Sequence, residues 1–176
     1  MDLFSKAWLV EHAEIAFFAA MREGYASESP SVPLPFPIPN IAKGKTYCYR
    51  DESDKWVVYD SYVFGDDGAS AGWTIITYRD RPVWQMQYDG WYAKEASPFL
   101  KKALRVTYAE RRFVGGRGPE LYTGEDDFPN LAYLNVALGH FQSFSGSEGV
   151  RMKIGSTLKS LGEHHYRGGM LWSPRS

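Results

Sequence analysis

Apolar residues recur along this chain in two periods, and the switches between them mark out its elements. Across residues 6–22, Leu9, Ala13, Ala16, Phe17 and Ala20 return at steps of three and four, with Glu11, Glu14 and Arg22 between them. That spacing lays an apolar stripe along an amphipathic helix. Ser5 is placed to cap the helix and Gly24 to stop it. The same period returns at Leu100, Ala103, Leu104 and Thr107 and runs to about Arg111, opened by Ser97-Pro98. Serine is a favoured cap, and the amide hydrogen that proline lacks would be unbonded in a first turn.

Elsewhere the chain reads as short strands. Aromatic and β-branched runs at 46–49, 56–64, 73–78 and 83–88 alternate with polar turns at Asp51-Glu52-Ser53-Asp54, Gly65-Asp66-Asp67-Gly68 and Arg79-Asp80-Arg81-Pro82. A second set covers 131–138, 149–154 and 158–166, with a turn at Gly155-Ser156. Spacings this short suit antiparallel hairpins and leave no room for crossover helices. Between the first helix and the first strand lies a proline-rich run from Pro30 to Pro39, whose alternating prolines from Pro33 on point Leu34, Phe36 and Ile38 to one side. Such a segment is neither helix nor inner strand. It reads as a stiff strap over the domain's own core, in preference to a polyproline ligand for a partner's groove.

The two sets resemble each other. Tyr59, Gly65, Gly72 and Tyr88-Asp89-Gly90 recur as Tyr133, Gly139, Gly146 and Tyr166-Arg167-Gly168, and Ala20, Tyr25, Ala26 recur as Ala103, Tyr108, Ala109. Four extra residues between Gly146 and Tyr166 predict a longer hairpin in the second set. The expected fold class is therefore α+β, an internal duplication of a helix followed by three or four antiparallel strands. The two halves, residues 6–92 and 97–171, would pack as a single domain over 1–176.

Composition narrows the class. Hydrophobic residues make up 44% and charged residues 23%, ordinary for a soluble globular chain, while the 16% aromatic share favours a sheet-rich core. Twenty Lys and Arg against 21 Asp and Glu leave no basic excess for phosphate, so no nucleic-acid partner is expected. No apolar run approaches the roughly 18 residues of a membrane span and no leader is legible, which points to a cytoplasmic protein of bacterial or phage type without membrane partners. Cys48 is the sole cysteine and is expected to be a small buried hydrophobe.

Specific runs carry a resemblance to a family. Tyr59-Asp60-Ser61-Tyr62, Pro82-Val83-Trp84 with Met86, Tyr88 and Gly90, Phe99-Leu100 with Ala103, Arg117-Gly118-Pro119 and Gly168-Gly169 occur in the order seen in bacterial domain of unknown function family 5680. The chain resembles that family over nearly its whole length. Some relatives sit behind a helix-turn-helix segment, so the resemblance implies a sensing or regulatory role by analogy, here without that segment. Two positions depart from the pattern. Thr74 stands where Glu148 follows Gly146 in the second set, and Arg167 stands where the family suggests His.

Candidate chemistry is spread over both sets. Asp60 lies in an aromatic strand, where a carboxylate needs a cation or an open face. Glu148, His164, His165 and Arg117 are concentrated in the second set; on a strand His165 shares a face with Glu163, and His164 with Tyr166. Lys101, Lys102, Arg105, Arg111 and Arg112 form the one basic surface, and Gly115-Gly116-Arg117-Gly118 reads as a flexible connection. The expectation is a small-molecule or protein partner, with an aromatic cleft walled by Trp56, Trp84, Trp91, Tyr62 and Tyr88. Its ligand-binding residues would be Asp60, Tyr62, Trp84, Tyr88, Arg117, Glu148 and His165, with no catalytic residue, metal or cofactor. Two alternatives stay open: a protein-interaction factor such as an immunity or inhibitor protein, and a hydrolase using Glu148, His164 and His165.

Overall fold

Both helices form where their apolar stripes predict. In the computed structural model, which describes residues 5–27, 30–32, 43–115, 117–124 and 127–171, α1 spans Lys6–Glu23 and α2 spans Ser97–Glu110. The Ser5 hydroxyl accepts from the Trp8 amide at 3.1 Å and caps α1. Ser97 differs from expectation. It is the first residue of α2 rather than its cap, and its hydroxyl faces the Tyr25 hydroxyl at 3.2 Å. A short turn at Lys94–Ala96 runs straight into α2 and removes the need for a side-chain cap.

The strands are β1 (Lys43–Arg50), β2 (Trp56–Phe64), β3 (Ala69–Tyr78), β4 (Arg81–Tyr92), β5 (Leu121–Thr123), β6 (Leu131–His140), β7 (Ser143–Ile154) and β8 (Thr157–Met170). They build one eight-stranded antiparallel sheet in the order β1-β2-β3-β4-β8-β7-β6-β5. The fold is thus α+β. Its sheet holds one strand more than the runs read from the sequence, because β5 is three residues long, too short for a periodic signal. The β7–β8 hairpin is longer than β3–β4, as the extra residues predict.

Helices pack on one face only. Alternation on β4 sends Trp84, Met86, Tyr88 and Tyr92 into the core, where Phe17 of α1 and Phe99, Leu100 and Leu104 of α2 are also buried. The opposite face carries Asp89, Trp91, His165 and Arg167, all exposed. Cys48, expected to be buried, is exposed: it alternates with Tyr49, which packs against the core, and so points to the opposite face of β1. Of the proline strap, the part from Pro33 to Pro39 lies outside the described residues. Val32, in its first part, exchanges backbone hydrogen bonds of 2.9 Å with Thr46 at the edge of β1.

Strand register corrects one sequence match. Tyr133 pairs with Val150 and is fully buried, whereas Tyr59 pairs with Ile75 and sits on the other face from Asp60. A shift of one residue reverses the face, so a sequence match with that error still looks regular.

Candidate functional site

A cavity of about 660 Å³ opens between the end of β2–β3, β4 and the start of α2. Tyr62, Phe64, Tyr92 and Leu100 wall it, and Ser70, His164 and Arg117 lie at its floor. The floor follows from register. Ser70, Gly90 and His164 are directly paired neighbours on β3, β4 and β8. Gly90 has no side chain, so the imidazole crosses β4 and reaches Ser70 Oγ with Nε2 at 2.9 Å. A Cβ on Gly90 would stand 2.7 Å from His164 Cδ2. Tyr88 uses Gly72 in the same way: it passes over that glycine, and its hydroxyl donates to Asp60 Oδ1 at 3.1 Å.

Arg117 enters from the connection between α2 and β5. Asn135 holds that connection by donating from Nδ2 to the carbonyls of Gly115 and Gly118 at 2.9 and 3.0 Å. Nε and Nη2 of Arg117 donate to Glu148 Oε1 at 3.0 and 2.6 Å, and the Tyr133 hydroxyl donates to Oε2 at 2.5 Å. The guanidinium also lies 4.8 Å from the centre of the Tyr88 ring, a cation–π contact. Burial is the largest single influence on Arg117 and works against its charge, but the Glu148 carboxylate together with Tyr108, Tyr88 and Tyr92 outweighs it and holds the guanidinium well above its ordinary value. Burial raises Asp60 from the usual carboxylate range, opposed by the Thr74 hydrogen bond, the charge of Arg117 and the Tyr88 hydroxyl. Burial and Asp60 likewise raise Tyr88, which stays a phenol and a donor.

The hydrogen bonds fix the state of His164. Arg117 Nη2 lies 3.0 Å from His164 Nδ1. A guanidinium only donates, so Nδ1 accepts, the ring is neutral, and its proton sits on Nε2, which donates to Ser70. Burial, then the charges of Arg117 and His165, push His164 down to about 2. The unfolded side chain titrates near 6.5, so below that pH the unfolded state binds the extra proton. Stability therefore falls as pH drops from about 6.5 towards 2, by roughly 1 kcal/mol per pH unit from this group. Urea midpoints measured at pH 7 and pH 5 test this. The difference is expected to shrink in His164→Gln, and an unchanged difference would remove His164 as its source.

The structure sorts the sequence candidates. Tyr62, Tyr88 and Arg117 line the cavity. Glu148 lies behind Arg117 with its side chain fully buried, and Asp60 is joined to the site through Tyr88. Trp84 does not belong. It is fully buried beside Phe17, Phe141 and Phe144, and its indole nitrogen donates to the Phe141 carbonyl at 2.8 Å, two rows of the sheet away from Tyr88. His165 does not belong either. Its side chain is 67% exposed on the opposite face, beside Glu163 at 3.5 Å. Trp91 is exposed on that same face, and Trp56 packs at a tilt against Trp8 and Tyr78 by a separate cavity. The basic residues of α2 are engaged: Lys102 pairs with Asp127 at 3.1 Å, Lys101 lies over Tyr25, and Arg105 donates to the Ala26 carbonyl.

Ser70, Asn135 and Tyr133 escaped the sequence reading as site residues. The one available signal was their pairing with Gly90, Glu148 and Val150, which is a property of register rather than of local pattern.

Fold and site together define an α+β domain whose two helices cover one face of an antiparallel sheet, above a cavity with a buried ion pair at its floor. The chain belongs to the domain of unknown function family DUF5680, which matches residues 60–171. That span includes Asp60, Ser70, Tyr88, Arg117, Glu148 and His164. No curated protein and no solved structure matches the chain.

Proposed function

We propose that this protein is a non-enzymatic module that binds a small molecule, with a sensing or regulatory role, and that its ligand enters the cavity above Arg117. The observation that carries the reading is the state of Arg117. It is only 8% exposed, Nε and Nη2 are committed to Glu148 and His164, and Nη1 makes no hydrogen bond among the described residues. A buried cation with an uncommitted donor at the floor of a 660 Å³ aromatic cavity matches the usual design of a small-ligand site.

The proton on His164 speaks against hydrolysis at this site. A serine nucleophile needs a histidine that accepts its proton at Nε2 while Nδ1–H is held by a carboxylate. Here Nδ1 accepts from Arg117 and Nε2–H already donates to Ser70. The reading with Glu148, His164 and His165 loses its third member to the opposite face of the sheet. A thermal-shift screen of wild type beside Ser70→Trp, which fills the floor, tests the proposal. Compounds that raise the Tm of wild type and leave Ser70→Trp unmoved are expected; hits that shift both alike would refute it.

Each half has a helix followed by four strands, and the strand order mirrors about β4–β8. In each half a tyrosine crosses a glycine to an Asp or Asn: Tyr88 over Gly72 to Asp60, and Tyr166 over Gly146 to Asn135. We read this as a duplication; an experimental structure lacking the mirrored order would overturn it. No helix among the described residues is long and apolar enough to cross a membrane. Residence in a bacterial cytoplasm remains part of the proposal, and cell fractionation tests it.

A further inference from the structure

We infer that the ligand is a small carboxylic acid with an aromatic or otherwise planar apolar body, its carboxylate docked on Ser70 and Arg117. The inference rests on the ligand-binding reading above and adds the chemical class. It follows from the direction of the hydrogen bonds at the floor. Arg117 donates to His164 Nδ1, and His164 Nε2–H donates to Ser70 Oγ. The Ser70 oxygen thus accepts from His164, and its own hydrogen is left to turn into the cavity beside one remaining lone pair. Arg117 Nη1 adds further N–H donors, with no described residue accepting them. Each bond in this chain polarises the next in the same sense, starting from a cation.

Acceptors are hidden from the same floor. Glu148 does not line the cavity; both of its oxygens receive hydrogen bonds, and its side chain is fully buried. Asp60 also lies off the cavity wall, with Oδ1 receiving Thr74 and Tyr88. A ligand ammonium would meet the Arg117 cation and its N–H donors there, against a single remaining hydroxyl lone pair on Ser70. A carboxylate meets charge-assisted donors in a buried setting. At the mouth Asp66 is paired with Lys43, and Asp67 accepts from the Ala69 amide, whereas Lys45 and Lys94 have no partner among the described residues. Tyr62, Phe64 and Tyr92 supply flat walls for the body.

Three probes with one body separate the classes: phenylacetate, phenylacetamide and phenethylamine. Each is titrated into the full chain, following the nitrogen resonances of Ser70, the Arg117 side chain and the His164 ring. Phenylacetate is expected to perturb these signals and to bind about tenfold or more tightly than phenethylamine. Ser70→Ala, which keeps Arg117 and Glu148 paired, is expected to weaken phenylacetate by about tenfold. Equal or tighter binding of phenethylamine at these resonances overturns the carboxylate assignment and leaves a ligand site standing. Phenylacetate binding unchanged in Ser70→Ala overturns the docking on Ser70. Failure of all three to perturb the cavity resonances at millimolar concentration overturns the ligand-binding reading itself.

Discussion

Arg117→Met is expected to destabilise the fold by about 3–5 kcal/mol, the largest effect of any single change at the site. Methionine keeps much of the length of the side chain, so loss of packing is a minor part of the effect. What remains is the Glu148 carboxylate, with no exposed side-chain surface and only the Tyr133 hydroxyl as a described donor. His164 also loses the donor at Nδ1 and with it the restraint on its tautomer. The change would appear as a lower urea midpoint and a Tm shift on the order of 10 °C for a chain of this size.

Removing both charges together reverses the logic. Arg117→Met combined with Glu148→Leu leaves no buried charge, and replacing a buried pair by apolar groups is often neutral. The double variant is therefore expected to recover most of the loss while binding no ligand. If Arg117→Met alone costs less than about 1 kcal/mol, the pair is not desolvated as described.

Trp84→Ala is the second large effect, at about 3–5 kcal/mol, and it has a different signature. The indole is fully buried and packs against Phe17, Phe141 and Phe144, with ring centres 4.9 to 5.7 Å away. Its removal leaves a cavity and an unbonded Phe141 carbonyl. Trp84→Phe should cost less, because it keeps most of the volume and loses the donor. At temperatures where the folded form persists, ligand affinity should match wild type in both variants. A loss of affinity beyond the loss of folded protein would return Trp84 to the cavity wall.

The helices and hairpin turns were legible because their signals are local. Ser5 caps α1 from three residues away, and Asp51 closes its turn by accepting from the amides of Lys55 and Trp56. Face and register were less legible. His164 and His165 are adjacent, and choosing between them needs the pairing of Gly90 with His164, set by the whole β4–β8 ladder. Trp84 shares the buried face with Tyr88, so alternation placed both inside but did not say which row faces the cavity. Tyr59 and Tyr133 matched in sequence while facing opposite ways, since β2–β3 and β6–β7 turn through loops of different length. Asn135 gave no local signal: its role is to hold a connection 17 and 20 residues away in the chain.

A crystal structure of the wild-type protein soaked in a chemically mixed set of fragments would show whether the cavity above Arg117 is a ligand site. Fragment density is expected between Tyr62 and Tyr92, with a polar atom within hydrogen-bond distance of Arg117 Nη1. Fragments bound elsewhere on the molecule, with only water above Arg117, would contradict the ligand-site reading.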